Sequence, residues 1–496
     1  MILKNNLKFL SNTVIKKIED TKKREVEFKT SKDNNIIPIV DKVSLHSVYY
    51  PLKEGEKLNF IYQKNSICIA LGLGGSYHLY DYYIKSNEII VIAIEYDILH
   101  SILNQVDLSK YYDHRSFKII DVSEIIDYFD FFKYDNYFLM IHPVLQNLYS
   151  KKILEITKQL KDNLNPLLLD INTQKKFGVV WQNNINKNFA RLFNDWYNFE
   201  PLVIDKPILI CGAGPSLDMN IEIIKENSDK FYIASSDTSL KILNCYKIEP
   251  DAVFSFDCQN YSYLHFLDFK KSYRLFTDFI SPIAIEGVKQ TPLFSSHPFF
   301  KIFNQLNYYP IKIDSNTRNI GGAMVDFFSQ YFDKIPIVTA GIDYSYYKNE
   351  SYSKGSYLST YKLLNSDFFV SEERIDADLF YKNNFTETKY MWKTTSLLQE
   401  YSKNTKRNIY SLSDSPFVEF ERIKDLSILF KKKVESLTLD FAKPSFSKDE
   451  LIVHLENYIK TNYDIFLPYF LSARTYPAEE NLNILLKKIK TLINLK

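Results

Sequence analysis

Short, nearly continuous apolar runs recur through the first 350 residues, and most of them end in glycines or in an acid. In the first block they are Ser66–Leu71, Glu88–Glu95, Lys118–Asp121 and Tyr137–His142, with the loop Gly72-Leu-Gly-Gly-Ser-Tyr-His78 after the first. A second block repeats the pattern at Pro207–Cys211, Phe231–Asp237, Asp251–Asp257, Arg274–Thr277, Thr291–His297, Pro310–Ile313 and Ile335–Asp343. Runs this short and this apolar predict strands covered on both faces, as in parallel sheets. From Val144 to about Glu200 apolar residues recur every three or four positions, which predicts helices joining the two blocks. Beyond Lys348 the chain is polar and tyrosine-rich to about Tyr390. From Met391 to Lys496 it reads as mostly helical, broken near Ser411–Phe417, Pro444 and Pro477. The expected fold class is α/β, with two Rossmann-like parallel-sheet domains followed by a mainly helical C-terminal region. The expected boundaries are 1–145, a helical connector 146–200, a central domain 201–390 and a C-terminal domain 391–496.

The length of 496 residues agrees with two or three domains. With 62 basic and 60 acidic side chains the net charge is only +2, so no general field recruits nucleic acid or a membrane surface. Tyr and Phe are abundant at 37 each, a bias that AT-rich coding explains more simply than a sugar-stacking surface. The cysteines Cys68, Cys211, Cys245 and Cys258 show no metal-ligand spacing and read as reduced, buried thiols. No apolar run reaches 18 residues and the N-terminus lacks a signal-like core, so a soluble, cytoplasmic protein without membrane insertion is expected.

Chemistry concentrates between Pro207 and Asp343. Gly212 and Gly214 permit a sharp turn and close approach to a ligand, and Pro215 and Ser216 suit the first turn of a helix, where unpaired N–H groups favour a phosphate. If the strands are parallel and adjacent, this loop meets Asp237, Asp257 and Asp343 along one sheet edge. Asp237 or Asp257 suits hydrogen bonds to a ribose or base, a divalent cation, or a general base. Gly321 and Gly322 open a helix and offer further backbone donors. No phosphate-binding G-x-x-x-x-G-K-[ST] loop and no G-x-S-x-G or H-E-x-x-H pattern is present, and no metal site is expected.

Five ordered stretches resemble the central domain of the motility-associated factor (Maf) glycosyltransferases. They are Ile210–Asp218, Ala234–Leu240, Ile248–Asp257, Gly321-Gly-Ala323 and Thr339–Tyr346, and the N-terminal glycine loop also resembles that family's first domain. The resemblance implies transfer of a nonulosonic acid, such as pseudaminic acid, from a CMP-activated nucleotide sugar to Ser or Thr of flagellin in the cytoplasm, with no cofactor required. It implies that Gly212, Ala213, Gly214, Pro215, Ser216, Asp237, Gly321 and Gly322 hold the donor, and that Tyr346 donates to the leaving phosphate. Asp257 and Asp343 are candidate bases by position, and His297 by its titration near neutral pH. The chain departs from the family at Ser353-Lys-Gly355, where a histidine is usual. The glycine-proline-serine loop is also shared with pterin pyrophosphokinases, which would use Mg²⁺ and ATP. A third reading is a non-catalytic flagellin-binding factor that has kept the fold.

Overall fold

The computed structural model describes residues 2–57, 64–86, 88–267, 273–313, 319–347, 352–357, 385–387, 408–418, 420–431 and 433–494. It divides into two compact units, Met1–Lys176 with Leu471–Tyr476, and Phe177–Phe470 with Pro477–Lys496. Both contain the parallel sheets that the apolar runs predict.

In the first unit, strands β1 (Ser66–Leu71), β2 (Ile89–Ile92), β3 (Phe117–Ile120) and β4 (Asn136–Ile141) pair in parallel in the order β3-β2-β1-β4. All six residues of β1 are buried, as expected for a central strand covered on both faces. The chain moves outward from β1 to β3 and then returns to its other side. That creates a topological switch point between β1 and β4, where open sheets take ligands. A small antiparallel sheet of Glu27–Thr30, Ile36–Val40 and Val43–Ser44 adds Ile37 and Val40 to the same core.

The connector is one helix, α1 (Ser150–Phe193), of 44 residues, rather than several. Ile153, Ile156, Leu160, Leu164 and Leu168 form its buried stripe in the first unit, at the spacing that puts them on one face. The division between the units falls within this helix. Its later part buries Ile185, Phe189 and Leu192 in the second unit. There Asn188 donates to the carbonyls of Phe279 and Ser281 at 2.8 Å each, and Asn184 to those of Cys258 and Ile280 at 3.0 and 2.8 Å. These amides satisfy loop carbonyls that a purely apolar helix face would leave orphaned.

The second unit is built on eight parallel strands: β5 (Ile208–Cys211), β6 (Tyr232–Ser236), β7 (Ala252–Ser255), β8 (Arg274–Asp278), β9 (Lys289–Leu293), β10 (Ile337–Ala340), β11 (Ile409–Ser411) and β12 (Glu421–Arg422). Their order is β9-β8-β7-β6-β5-β10-β11-β12. Cys211 stands beside Ser235 on one side and Ala340 on the other, so the loops after β5, β6 and β10 leave the sheet at one level. Stacked rings of Phe254 and Phe276, 4.8 Å apart, meet Phe327 and Phe328 of helix α3 (Ile320–Tyr331), which follows α2 (Asp237–Cys245). The phenylalanine-rich composition is spent in this core.

Two expectations change. Pro310–Ile313 is not a strand, because only Lys312 bridges to Phe294 and Pro310 has no N–H for a ladder. The sheet also reaches into the stretch read as helical. β11 and β12 belong to it, and the longer C-terminal helices are α4 (Lys448–Thr461) and α5 (Glu479–Ile493). Cys68, Cys211 and Cys258 are buried and Cys245 is exposed, all as free thiols.

β8 ends in a buried acid that no ion pair compensates among the described residues. Burial pushes Asp278 up to about 6, only partly offset by hydrogen bonds from Ser295 and from the Ile280 amide. Its neutral form therefore contributes stability that is fully present below the ordinary value of 3.8 and lost as pH rises through about 6. The variant Asp278→Asn should gain on the wild type by up to about 3 kcal/mol between pH 4 and 7, at 1.36 kcal/mol per pKa unit, in denaturant titrations at each pH. A difference that stays flat across that window would show that Asp278 is ionised throughout.

Candidate active site

The glycine-proline-serine loop after β5 is clasped to the loop after β10. The Gly212 and Gly214 amides donate to the carbonyls of Ala340 and Gly341 at 2.8 Å each. A Cβ on Gly212 would lie 2.3 Å from the Gly341 oxygen, and one on Gly341 would lie 2.2 Å from the Gly212 oxygen. Gly341 also has φ +69, a left-handed value that suits glycine. Asp343 completes the clasp. One carboxylate oxygen accepts the Ser216 amide at 2.9 Å and the other accepts the Ser413 hydroxyl, while the Ser216 hydroxyl accepts the Gly341 amide at 2.8 Å. Ser353 closes it from outside, its amide and hydroxyl donating to the carbonyls of Ala213 and Gly214 at 2.7 and 2.6 Å.

The loop is therefore largely self-satisfied. Its amides at Gly212, Gly214 and Ser216 meet protein acceptors rather than a phosphate, and the helix after Pro215, Ser216–Met219, is only four residues long. Asp343 is buried and raised by that burial despite its hydrogen bonds from Ser216 and Ser413, and both its oxygens are occupied. It holds the loop and does not face the cleft as a base. Ser353, which stands where the resemblance expects a histidine, belongs to the same clasp.

Beside the clasp, over the ends of β6 and β7, lies a cleft of about 800 Å³. Asp237, Asp257 and His265 line it with Asn319, Tyr352 and Tyr357. Asp237 is the first residue of α2, whose cap is the Ser236 hydroxyl accepting the Ser239 amide at 3.2 Å. Its carboxylate accepts from the Thr238 amide at 2.7 Å and the Ser255 hydroxyl at 2.7 Å. Burial raises Asp237, and the hydrogen bonds from Ser255 and Thr238 work against that rise. Asp257 is exposed, accepting the Gln259 amide at 2.9 Å. His265 is 9% exposed, its Nδ1 is buried without a partner among the described residues, and its ring meets Tyr357 edge-on at 5.6 Å. Asn319 caps α3 by accepting the Gly322 amide at 2.8 Å, and with Ile320 and Ala323 it brings that helix start to the cleft wall.

The sequence-predicted residues thus separate. Asp237 and Asp257 meet in the cleft, Gly321 and Gly322 sit in the first turn of the helix at its wall, and Gly212–Ser216 with Asp343 form the clasp alongside. His297 is elsewhere, in a second cavity of about 600 Å³ with Phe294 and Phe300. It caps a short turn by accepting the Phe299 amide at 3.2 Å, packs edge-on to Trp181, and is pushed down to about 3 by burial. Tyr346 lies in the strand Ser345–Tyr347, but its side chain is outside the described residues. His265 escaped the sequence reading because it follows the motif by eight positions, on a 3-10 turn with no periodic signal.

Residues 181–349 match the family model described as 6-hydroxymethylpterin diphosphokinase MptE-like. This stretch is similar to that family over about a third of the chain. It holds β5 to β10, the clasp glycines and most of the cleft, leaving Tyr352, Ser353, Tyr357 and Ser413 beyond its end. The chain is 30% identical over 115 residues to an uncharacterized protein of Treponema pallidum (strain Nichols). That is 23% of this chain, which spans about half the length of that relative, 52%. Its structure is similar to that of a MAf glycosyltransferase from Magnetospirillum magneticum AMB-1, with TM-score 0.48 and 12% identity over 99% of this chain and 93% of that one. A likeness at that level says nothing about chemistry.

The clasp makes a direct demand on Gly341. Gly341→Ala should lower the unfolding free energy by roughly 2–4 kcal/mol, since neither backbone can retreat without breaking the sheet register. Denaturant unfolding measures it, and a loss under about 0.5 kcal/mol would show that the two loops do not touch in solution.

Proposed function

We propose that this protein is a glycosyltransferase that moves a nonulosonic acid from a CMP-activated donor to a Ser or Thr hydroxyl of flagellin in the cytoplasm, in support of flagellar assembly. The observation that carries the reading is the cleft over β6 and β7. It combines a buried carboxylate, an exposed carboxylate, a buried histidine with an unfilled nitrogen, and a capped helix start, in a volume that suits a nucleotide sugar. The ordered motifs that resemble the Maf family supply the donor and acceptor classes.

In this scheme the His265 imidazole takes the proton from the acceptor hydroxyl as its oxygen attacks the anomeric carbon. The bond from that carbon to the phosphate oxygen breaks, and CMP leaves with the electron pair. Asp237 favours the imidazolium that forms, and the start of α3 faces the negative charge of the donor. Asp257 accepts hydrogen bonds from ribose or sugar hydroxyls. His265 therefore does the work that the missing histidine near Ser353 would otherwise do.

A second reading has its own support. The MptE-like model is described as a pterin diphosphokinase, and Asp237 and Asp257 share one cleft, as hard oxygen ligands for Mg²⁺ would. Metal dependence separates the two.

CMP without Mg²⁺ should raise the melting temperature by a few degrees, since a ligand at a hundred times its Kd adds about 2.7 kcal/mol. Stabilisation by ATP only with Mg²⁺ would replace the first reading with the second. His265→Ala should keep the CMP shift and lose at least about 100-fold in CMP release from a CMP-nonulosonic acid with flagellin present. A variant with undiminished turnover would remove His265 from the reaction.

A further inference from the structure

The glycine loop of the first unit plays no part in the proposed transfer, and its geometry argues against a nucleotide. Glu95, wholly buried, accepts the amides of Leu73, Gly74 and Ile94 at 2.6, 2.8 and 3.1 Å. Those are the donors that a phosphate would need, and Glu95 is the acid that a ribose would need. What stands at the β1–β4 switch point instead is a group of imidazoles.

His78 follows the glycine loop, His142 follows β4, and His46 arrives from the loop after Val43–Ser44. Their ring centroids are 4.7 to 5.4 Å apart, and one nitrogen from each lies within 4.8 Å of the others. Among the described residues no other three His, Cys, Asp or Glu side chains gather this way. His78 is 0% exposed and, among the described residues, neither of its ring nitrogens has a hydrogen-bond partner; Nδ1 of the buried His142 is also without one. Buried imidazoles left unsatisfied are costly, and nothing among the described residues fills these positions. Glu54 Oε2 lies 2.6 Å from His46 Nδ1 and 3.7 Å from His142 Nε2. His46, His142 and Glu54 line a cleft of about 610 Å³ that also exposes Lys53 to its interior.

We propose that His46, His78 and His142 bind a divalent transition-metal ion of the zinc class, with Glu54 fixing the His46 ring and the cleft supplying an exchangeable fourth ligand. Three neutral imidazoles and an orienting carboxylate are the donor set such ions select over Mg²⁺ or Ca²⁺. Zinc–nitrogen bonds of about 2.0–2.1 Å place ligand nitrogens about 3.3–3.5 Å apart, so the rings close by about an ångström on binding. His46 Nε2 accepts the Gly75 amide at 2.8 Å, so a metal taken at that nitrogen displaces this bond.

The test uses the full-length chain, stripped with a chelator and titrated with Co²⁺ and then Zn²⁺. One equivalent of Co²⁺ should bind with the visible absorption of a low-coordinate nitrogen site, and Zn²⁺ should displace it. His78→Ala and His142→Ala should each bind at least tenfold more weakly, Glu54→Gln about 10- to 100-fold more weakly, and His297→Ala like the wild type. Absence of stoichiometric uptake by the wild type would overturn the proposal, as would wild-type affinity in folded His142→Ala. If His78→Ala does not fold by circular dichroism, the His142 and Glu54 variants, both at residues that line the cleft, decide. Neither readout depends on glycosyl transfer.

Discussion

Two backbones meeting without side chains between them, Gly212 against Gly341, set the geometry on which the second unit depends. Each glycine excludes a Cβ from the other's carbonyl, so β5 and β10 stay in register to their last residues and their loops leave the sheet together. Asp343 then bridges the two sides through Ser216 and Ser413, and Ser353 ties the outer edge. A loop held this tightly is not a flexible phosphate cradle. It is the rigid wall beside which a cleft can persist.

The same solution recurs in the first unit with different residues. There Glu95, at the end of β2, captures the amides of the glycine loop after β1, as Asp343 captures that of Ser216. Both carboxylates are buried and both are raised by that burial, although the hydrogen bonds they accept offset part of it. In each sheet one acid beyond a strand end is structural, and the groups proposed to react or to bind metal lie one strand away or across the switch point. Asp237 and His265 occupy that place in the second unit, and the three histidines occupy it in the first.

Much of the architecture was legible in the chain. The apolar runs at Ser66–Leu71, Pro207–Cys211 and Ile335–Asp343 are strands because continuous hydrophobicity over so few residues fits only a strand buried on both faces. Asp237 and Asp257 were legible as neighbours because consecutive parallel strands deliver their ends to one edge. The strand Ile409–Ser411 was not legible. Three residues carry no period, and their pairing partner lies some seventy positions earlier in β10. His297 read as a candidate base by chemistry alone, yet it caps a turn by accepting the Phe299 amide and packs against Trp181.

Local pattern alone therefore determined the α/β class, the two parallel sheets and the edge on which chemistry gathers, because periodicity and strand-end residues are properties of neighbours in the chain. Tertiary structure alone decided which of those residues face a ligand. Asp343 and the glycine amides were claimed by partners 70 or more residues away, since buried polar groups pair with whatever the fold brings within reach. His265, His78 and His142 became candidates by the same rule, each holding a buried nitrogen without a partner among the described residues, and His46 joins the last two because the fold brings it within reach of them.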